Sequence, residues 1–410
     1  MKTDAIVAGV GMTTFGKHLE QGLKAIGGQA VTAALADAGM TGDDLDAAYV
    51  GNAAAGLVTG QESIRGQVVL RGIGLGKLPV INVENACASA STAVHQAAAM
   101  VTAGLYDCVL ALGVEKLYHE DKKKSFGAFS GAVDVEQLQE FMANLKKRAA
   151  SDGAKSASKG AGENRSMFMD IYAGVARNHM SRYGTTVEQF ASISAKNSRH
   201  GHFNDRAQFR NEMSVEEVLA APMIAGPLTR PMCSPIGDGA AAVILVSPAR
   251  ARQLGIEKPV RIRSCVLHSG WDRGPDEEDV ARLCAKEAYE EAGVGPDDLS
   301  VVECHDASAP AELIAYEALG LCATGEGGKL VDSGDTSIGG RLPVNTSGGL
   351  LRKGHPVGAT GIAQIVELTE QIQGRSGERQ VDGAAVGLAH NGGGTIGADA
   401  AAMCVTIVSN

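Results

Sequence analysis

Two segments of the chain run in step. Residues 30–53 read AVTAALADAGMTGDDLDAAYVGNA and residues 284–307 read CAKEAYEEAGVGPDDLSVVECHDA. Ala-Gly, then Asp-Asp-Leu, then a short apolar run recur at the same spacing in both. Each copy reads as a helix stopped by a glycine (Gly39, Gly293), a turn and a buried strand. A second pair follows in the same order: CASASTAVHQAAAMVTAG from Cys87 and HPVGATGIAQIVELTEQI from His355. Both are helical in pattern, and both come after an Asn-containing loop (Asn85, Asn345) behind an apolar strand. Two pairs in the same order imply a duplicated architecture, and 410 residues suffice for two cores. Alternating strands and helices in each half predict mostly parallel sheets covered by helices.

The halves are separated by a stretch of different composition, from about 117 to 230. It holds DKKKSFGAFSGAVDVEQLQEFMANLKKR, the low-complexity AASDGAKSASKGAGENRS, and helical patterns through MDIYAGVARNHMSRYG. Residues 151–166 are poor in apolar side chains and are expected to form a mobile loop. DGAAAVILV (238–246) is fully apolar and reads as a buried strand returning to the first half. The expected domains are 1–118 with 231–250 as an N-terminal half, 119–230 as an inserted region, and 251–410 as a C-terminal half.

A net charge of −10 argues against nucleic-acid or membrane-surface partners. No apolar run reaches the roughly 18 residues a membrane span needs. The start, MKTDAIVAGVGMTTFGK, reads as a first strand rather than a signal peptide, and IVSN carries no sorting tripeptide. Eight cysteines are scattered with no C-x-x-C pair, which predicts reduced thiols in a cytosol and no zinc site. Cys304 and His305 are adjacent on an expected strand, so they point to opposite faces and make no ligand pair. GVGMTTFG lacks the spacing and acidic residue of a dinucleotide loop, and HNGGGTIG lacks the Lys-Ser/Thr of a phosphate loop.

VENACASAS places Cys87 among small residues, as either an ordinary buried cysteine or a nucleophile at a helix start. The duplication favours the nucleophile. It gives Cys87 and His355 equivalent positions, each opening its helix, so two helix N-termini can face one site. A helix N-terminus carries partial positive charge and free N–H groups. That environment is expected to lower the thiol pKa from about 8.5 toward neutrality and to supply oxyanion donors. A histidine from the other half would accept the thiol proton.

VENACASAS, HDASAPAELIAYEALGLC, NTSGGLLRKGHPVGATG and HNGGGTIG stand in the order seen in thiolases. The chain resembles the branch typified by sterol-carrier-protein-2 thiolases and bacterial lipid-transfer homologues; GVGMTTFGK and PLTRPMCSPIGDGAAAVIL fit that branch too. Only about 120–165 is unfamiliar. The resemblance implies a thiolase fold, duplicated α/β halves in five αβαβα layers with an inserted loop domain. It also implies cleavage of a 3-ketoacyl-CoA, with coenzyme A as co-substrate, no permanently bound cofactor and no metal. Cys87 matches the acylated nucleophile, and His355, in GHP, the histidine that activates it and helps bind the thioester oxygen. His305, in HDAS, matches a residue near the active-site water. The backbone of Cys87, Gly392 and Gly393, with Asn391, would form the oxyanion loop, and Ser347, Gly348 and Gly349 would contact substrate or CoA.

One departure concerns the second acid/base. In the sterol-carrier branch it belongs to an HDCF motif, where this chain has Ala307. In the larger branch it begins a CxG motif, where this chain has His390, which becomes the candidate. Homodimerisation, a small zinc-containing OB-fold partner subunit, a cytoplasmic location and the degradative direction are further implications. Retro-aldol cleavage of a hydroxyacyl-CoA and non-catalytic acyl-CoA or lipid binding remain the alternatives. Lys122–Lys124 and Lys146–Arg148 are candidate CoA-phosphate contacts or solvated helix faces, and Trp271 is a candidate loop anchor. Straight-chain, branched, steroid-derived and aryl-substituted substrates are all open.

Overall fold

The computed structural model describes residues 1–140, 142–143, 165–274, 277–397 and 399–410. Lys146–Arg148, and all but the last two residues of the stretch expected to be a mobile loop, lie outside them. Nine strands form one sheet: β1 (Ile6–Met12), β2 (Ala47–Gly51), β3 (Val80–Val83), β4 (Cys108–Glu115), β5 (Gly239–Val246), β6 (Val260–His268), β7 (Val301–Glu303), β8 (Val386–Ile396) and β9 (Asp399–Ser409). The helices that matter are α1 (Leu23–Ala38), α2 (Arg65–Gly72), α3 (Ser89–Thr102), α4 (Lys122–Gly127), α5 (Phe168–Tyr183), α6 (Val280–Ala292), α7 (Ala309–Ala318) and α8 (Thr360–Gln373).

The sheet order, β3-β2-β4-β5-β1-β6-β9-β8-β7, writes out the duplication. Read inward from either edge, each half places parallel strands first (β2 with β4, β7 with β8). An antiparallel strand (β5, β9) and the half's own first strand (β1, β6) follow. A parallel bridge between Val302 and Val344 stands where β2 pairs with β3 in the first half. The halves meet where Ile6 and Val7 of β1 pair with Arg261 and Val260 of β6.

Local chemistry repeats as well. Gly39 and Gly293 close α1 and α6 with φ of 62° and 71°, a left-handed conformation suited to glycine. In the turns that follow, Asp44 accepts from the Thr41 N–H at 2.9 Å and Asp298 from the Gly295 N–H at 2.8 Å.

Packing gives five layers. α1 and α2 cover one face of the first half through Ile26, Val31 and Leu70, and α6 and α7 cover the far face of the second through Cys284, Ala288 and Tyr316. α3 and α8 lie between, where Ala90, Ala93, Ala97 and Ala98 meet Ile362, Ile365 and Val366. Alanines there let two helices and two sheet halves approach closely. β4 and β5 are buried along their whole length, as near-continuous apolar runs require.

Two expectations need correction. The sheet is mixed rather than mostly parallel. β5 enters between β4 and β1 after the insertion and runs against both, and the hairpin that joins β8 to β9 leaves them antiparallel. Cys87 lies two residues before α3, whereas His355 lies five before α8, so their alignment slips by three residues. Among the described residues, no helix is long and apolar enough to cross a membrane.

Candidate active site

Cys87 sits in a single 3-10 turn, Ala86–Ala88, that leads into α3. Several side chains hold this turn. The Asn85 N–H donates to Ser89 Oγ at 2.9 Å, the Ala86 N–H to Glu84 Oε1 at 2.6 Å, and the Asn85 amide to Thr92 Oγ1 at 2.9 Å. Ala86 has φ +47°, a conformation a non-glycine residue keeps only when its surroundings impose it. Gly393 of β8 supplies part of that constraint, because a Cβ there would lie 2.1 Å from the Asn85 carbonyl oxygen.

Three histidines converge on this turn. His305 follows β7 and His390 lies on β8; these strands are parallel neighbours, with Glu303 opposite Ala389. His355 comes from the segment before α8, bridged to Ile236. The side-chain donor atoms of Cys87, His305 and His355 lie within 4.8 Å of one another, and no other such Cys/His/carboxylate group occurs among the described residues. The same group is the one set there that could hold a metal ion. The His305 and His355 rings meet edge to face at 5.1 Å.

Hydrogen bonds assign the ring protons. Thr360 Oγ1 donates to the Pro356 carbonyl, so at 2.8 Å it accepts from His355 Nδ1–H, which leaves His355 Nε2 as a bare lone pair. Ser91 Oγ donates to Asn391 Oδ1 at 2.9 Å, and the Asn391 amide donates to His305 Nδ1 at 2.9 Å. His305 therefore carries its proton on Nε2. The His305 backbone N–H donates to His390 Nδ1 at 3.3 Å, which puts the His390 proton on Nε2. That Nε2 is buried and has no hydrogen-bond partner. One ring offers a base and two offer donors.

Burial holds all three histidines neutral. It lowers the pKa of His355 to about 3 and of His390 to about 4. His305 is pushed well down by burial, then by the charges that His355 and His390 would carry. The thiol departs from the sequence expectation. Cys87 is raised to about 12, first by burial and then by the Glu115 carboxylate. The N–H groups of Gly394 and of Cys87 itself pull the other way but do less, because one short turn does not offset enclosure beside a carboxylate.

A cavity of about 900 Å³ opens over the cluster. Cys87, His305, His355, His390, Gly392 and Gly394 line it. Gly393 does not; along β8 the residues that line the cavity alternate, which places Gly394 rather than Gly393 against the sulfur. Tyr172 was missed by the sequence as well. It lines the cavity from α5, with its ionisation suppressed by burial and then by Cys87 and Asp306. Lys122 reaches the cavity, as do Lys17, Arg230 and Arg352, whereas Trp271 is 39% exposed and lies off it.

Ser347, Gly348 and Gly349, expected to contact substrate or CoA, do not line this cavity. They are buried because their segment is tied to carboxylates. Glu303 accepts from the Ser347 N–H at 3.1 Å and Oγ at 2.6 Å, and pairs with Lys353 at 3.1 Å. Asp306 accepts from the Leu350 N–H at 2.6 Å, and Glu115 from the Gly358 N–H at 3.0 Å. Three buried carboxylates thus fasten the chain on both sides of His355. Ser347→Ala is expected to cost about 1.5–3 kcal/mol of stability, the range for a hydrogen bond to a charged group. Its KM for CoA should stay within about twofold, because the side chain is held on Glu303 and does not line the cavity; thermal melts and a CoA titration check both.

Residues 5–249 match the family model Thiolase, N-terminal domain, and residues 276–406 match Thiolase C-terminal domain-like. The chain belongs to the thiolase family. It is 39% identical over 399 residues to the acetyl-CoA acetyltransferase of Methanothermobacter thermautotrophicus, covering 96% of this chain and 97% of that one. It is 38% identical to sterol carrier protein 2 of Homo sapiens, covering 94% and 69%. It is 37% identical to benzoylsuccinyl-CoA thiolase subunit BbsB of Thauera aromatica, covering 92% and 91%. Among solved structures, the Ltp2-ChsH2(DUF35) aldolase superposes with a TM-score of 0.76 at 26% identity, covering 98% and 97%. The thiolase fold and the sterol-carrier-type branch expected from the motifs are both found.

Proposed function

We propose that this thiolase-family chain cleaves a 3-ketoacyl-CoA with free coenzyme A through an acyl group held on Cys87. The observation that carries the reading is the convergence of Cys87, His305 and His355 within 4.8 Å, with a bare nitrogen on one ring and an N–H on the other.

The steps follow from these atoms. His355 Nε2 takes the Cys87 proton as the sulfur attacks the C3 carbonyl. The N–H groups of Cys87 and Gly394 receive the oxyanion. The C2–C3 bond then breaks, and its electron pair passes to C2 and onto the thioester oxygen, to which His305 Nε2–H donates. His355 returns its proton to C2, releasing the shorter acyl-CoA. In the second half the CoA thiol gives its proton to His355 and attacks the acyl carbon. The Cys87 sulfur leaves and recovers that proton. His355 thus carries the proton in both directions. His390, whose Nδ1 is occupied by a backbone N–H, serves as a hydrogen-bond donor rather than as the acid/base suggested by its place in the sequence.

His390→Asn, which keeps an N–H donor, is expected to lose less than about tenfold in kcat, and His390→Phe about 10²–10³-fold, the loss typical of one missing oxyanion-type donor. Equal losses in both variants would restore His390 as the proton carrier.

The Thauera relative is named as a subunit, and the aldolase neighbour pairs Ltp2 with ChsH2(DUF35). These support a partner subunit here. On the family resemblance we propose that it is the small zinc-containing OB-fold subunit, and that the chain works as a cytoplasmic homodimer with CoA as co-substrate. A product assay over a panel of CoA esters, with and without such a subunit, tests the reaction. Cleavage that requires free CoA and yields two acyl-CoAs is expected. An aldehyde or ketone released from a hydroxyacyl-CoA without CoA would overturn it in favour of a retro-aldol reaction.

A further inference from the structure

Aromatic residues are only 4% of this chain, yet six of its sixteen line the cavity over Cys87: Tyr118, Phe126, Phe129, Phe168, Tyr172 and Phe209. Their placement is ordered. Phe168, Tyr172 and Val175 share one face of α5 at i, i+4 and i+7 and line the cavity together. α7 packs against α5 and lines the same cavity with Ala311, Ile314, Ala315 and Ala318, again on one helical face. One wall is aromatic and the other is mostly methyl groups.

The slot these two helices line together starts at the reacting atoms. α7 begins directly after His305-Asp306-Ala307, and Ala307 lines the cavity too. At the other wall, Phe129 packs in the same apolar cluster as Cys87 and meets Phe168 edge to face, with centroids 6.4 Å apart and planes at 63°. None of the α5 and α7 side chains that line the cavity is charged. The cationic lining residues Lys17, Lys122, Arg165, Arg230, Arg273 and Arg352 lie on other segments, and Arg165 pairs with Asp170 of α5 at 2.7 Å. An acetyl or short straight chain would leave most of this aromatic and alanine lining without contacts. A planar ring seated on it would meet the alanine methyl groups and the rings in the offset and edge-to-face geometries aromatic groups prefer.

We propose that the slot lined by α5 and α7 is the acyl subsite and that it selects a substrate carrying an aromatic ring at or next to C3. The inference rests on the acyl-CoA reading above and names the substrate class for that site.

Equilibrium binding of acyl-CoAs to the full-length Cys87→Ala protein tests it without requiring turnover. Benzoyl-CoA is expected to bind at least about tenfold tighter than butyryl-CoA, consistent with what ring contacts add beyond burial. Ala315→Leu, which fills the slot, should abolish that ratio. Phe168→Leu, which stays apolar but removes the ring, should lower it by roughly 2- to 12-fold. The ratio is the readout, so a general loss of folded protein does not imitate the effect. Equal or weaker binding of benzoyl-CoA overturns the proposal. So does a loss in Ala315→Leu that falls equally on both ligands, since the slot would then hold the pantetheine arm. Failure of the thiolysis reading would show separately, as absence of CoA-dependent cleavage in the product assay.

Discussion

His355→Ala is expected to slow acylation of Cys87 by about 10⁴-fold at pH 7, the upper range for a lost general base, and to recover about tenfold for each pH unit up to about pH 10. The pH slope comes from the thiol. With its pKa raised to about 12, roughly one molecule in 10⁵ holds a thiolate at pH 7. A base within 4.8 Å of the sulfur is therefore what makes attack frequent, and the Thr360 contact leaves His355 Nε2 free for that task. Without it, acylation must wait for the rare thiolate. The sign is fixed: raising pH removes the thiol proton, so the variant speeds up. Wild type stays flat over the same range because His355, at about 3, is already neutral. Rapid-mixing acylation rates from pH 6 to 10 measure both slopes. A loss of less than tenfold, or a variant without pH dependence, would mean that another group takes the proton.

Gly393→Ala is expected to cost on the order of 3 kcal/mol in stability, the upper range for overpacking a filled interior. Activity should fall by at least about 10²-fold, since a displacement near 1 Å at a reacting group has that effect. The added carbon would lie 2.1 Å from the Asn85 carbonyl oxygen and 2.6 Å from the Ala88 nitrogen, and both atoms belong to backbone that flanks Cys87. Either β8 or the nucleophile turn must move. Gly392→Ala is the control: its Cβ would meet Met403 Cε at 3.0 Å, the far end of a flexible side chain. Melting temperature and kcat for the pair should separate clearly; equal behaviour would mean that the turn is not braced by β8.

The sequence reading succeeded where short-range chemistry encodes structure. Gly39 and Gly293 close their helices, the Asp-Asp-Leu turns carry the same Asp-to-N–H contacts, and both copies lead into strands at matching places in the sheet. Duplication plus motif order then brought Cys87 and His355 to one site. The failures are nonlocal. Enclosure beside Glu115 sets the thiol pKa, and Glu115 is 28 residues from Cys87 with no pattern that links them. The contacts of Ser347 and Gly349 with Glu303 and Asp306 were equally out of reach, since those partners are visible only once the chain is folded. Gly394 was within reach, because strand alternation from His390 predicts it. Tyr172 was not, since helical periodicity does not say which face overlooks a cavity.

The proposed reaction stands on Cys87 carrying the acyl group. Intact-protein mass after brief mixing with a panel of 3-ketoacyl-CoAs, without free CoA, reads that intermediate out, with Cys87→Ala alongside. A mass increase equal to the acyl group, present in wild type and absent in the variant, is the predicted result. No adduct with any member of the panel, in the presence of a functional partner subunit, would contradict it.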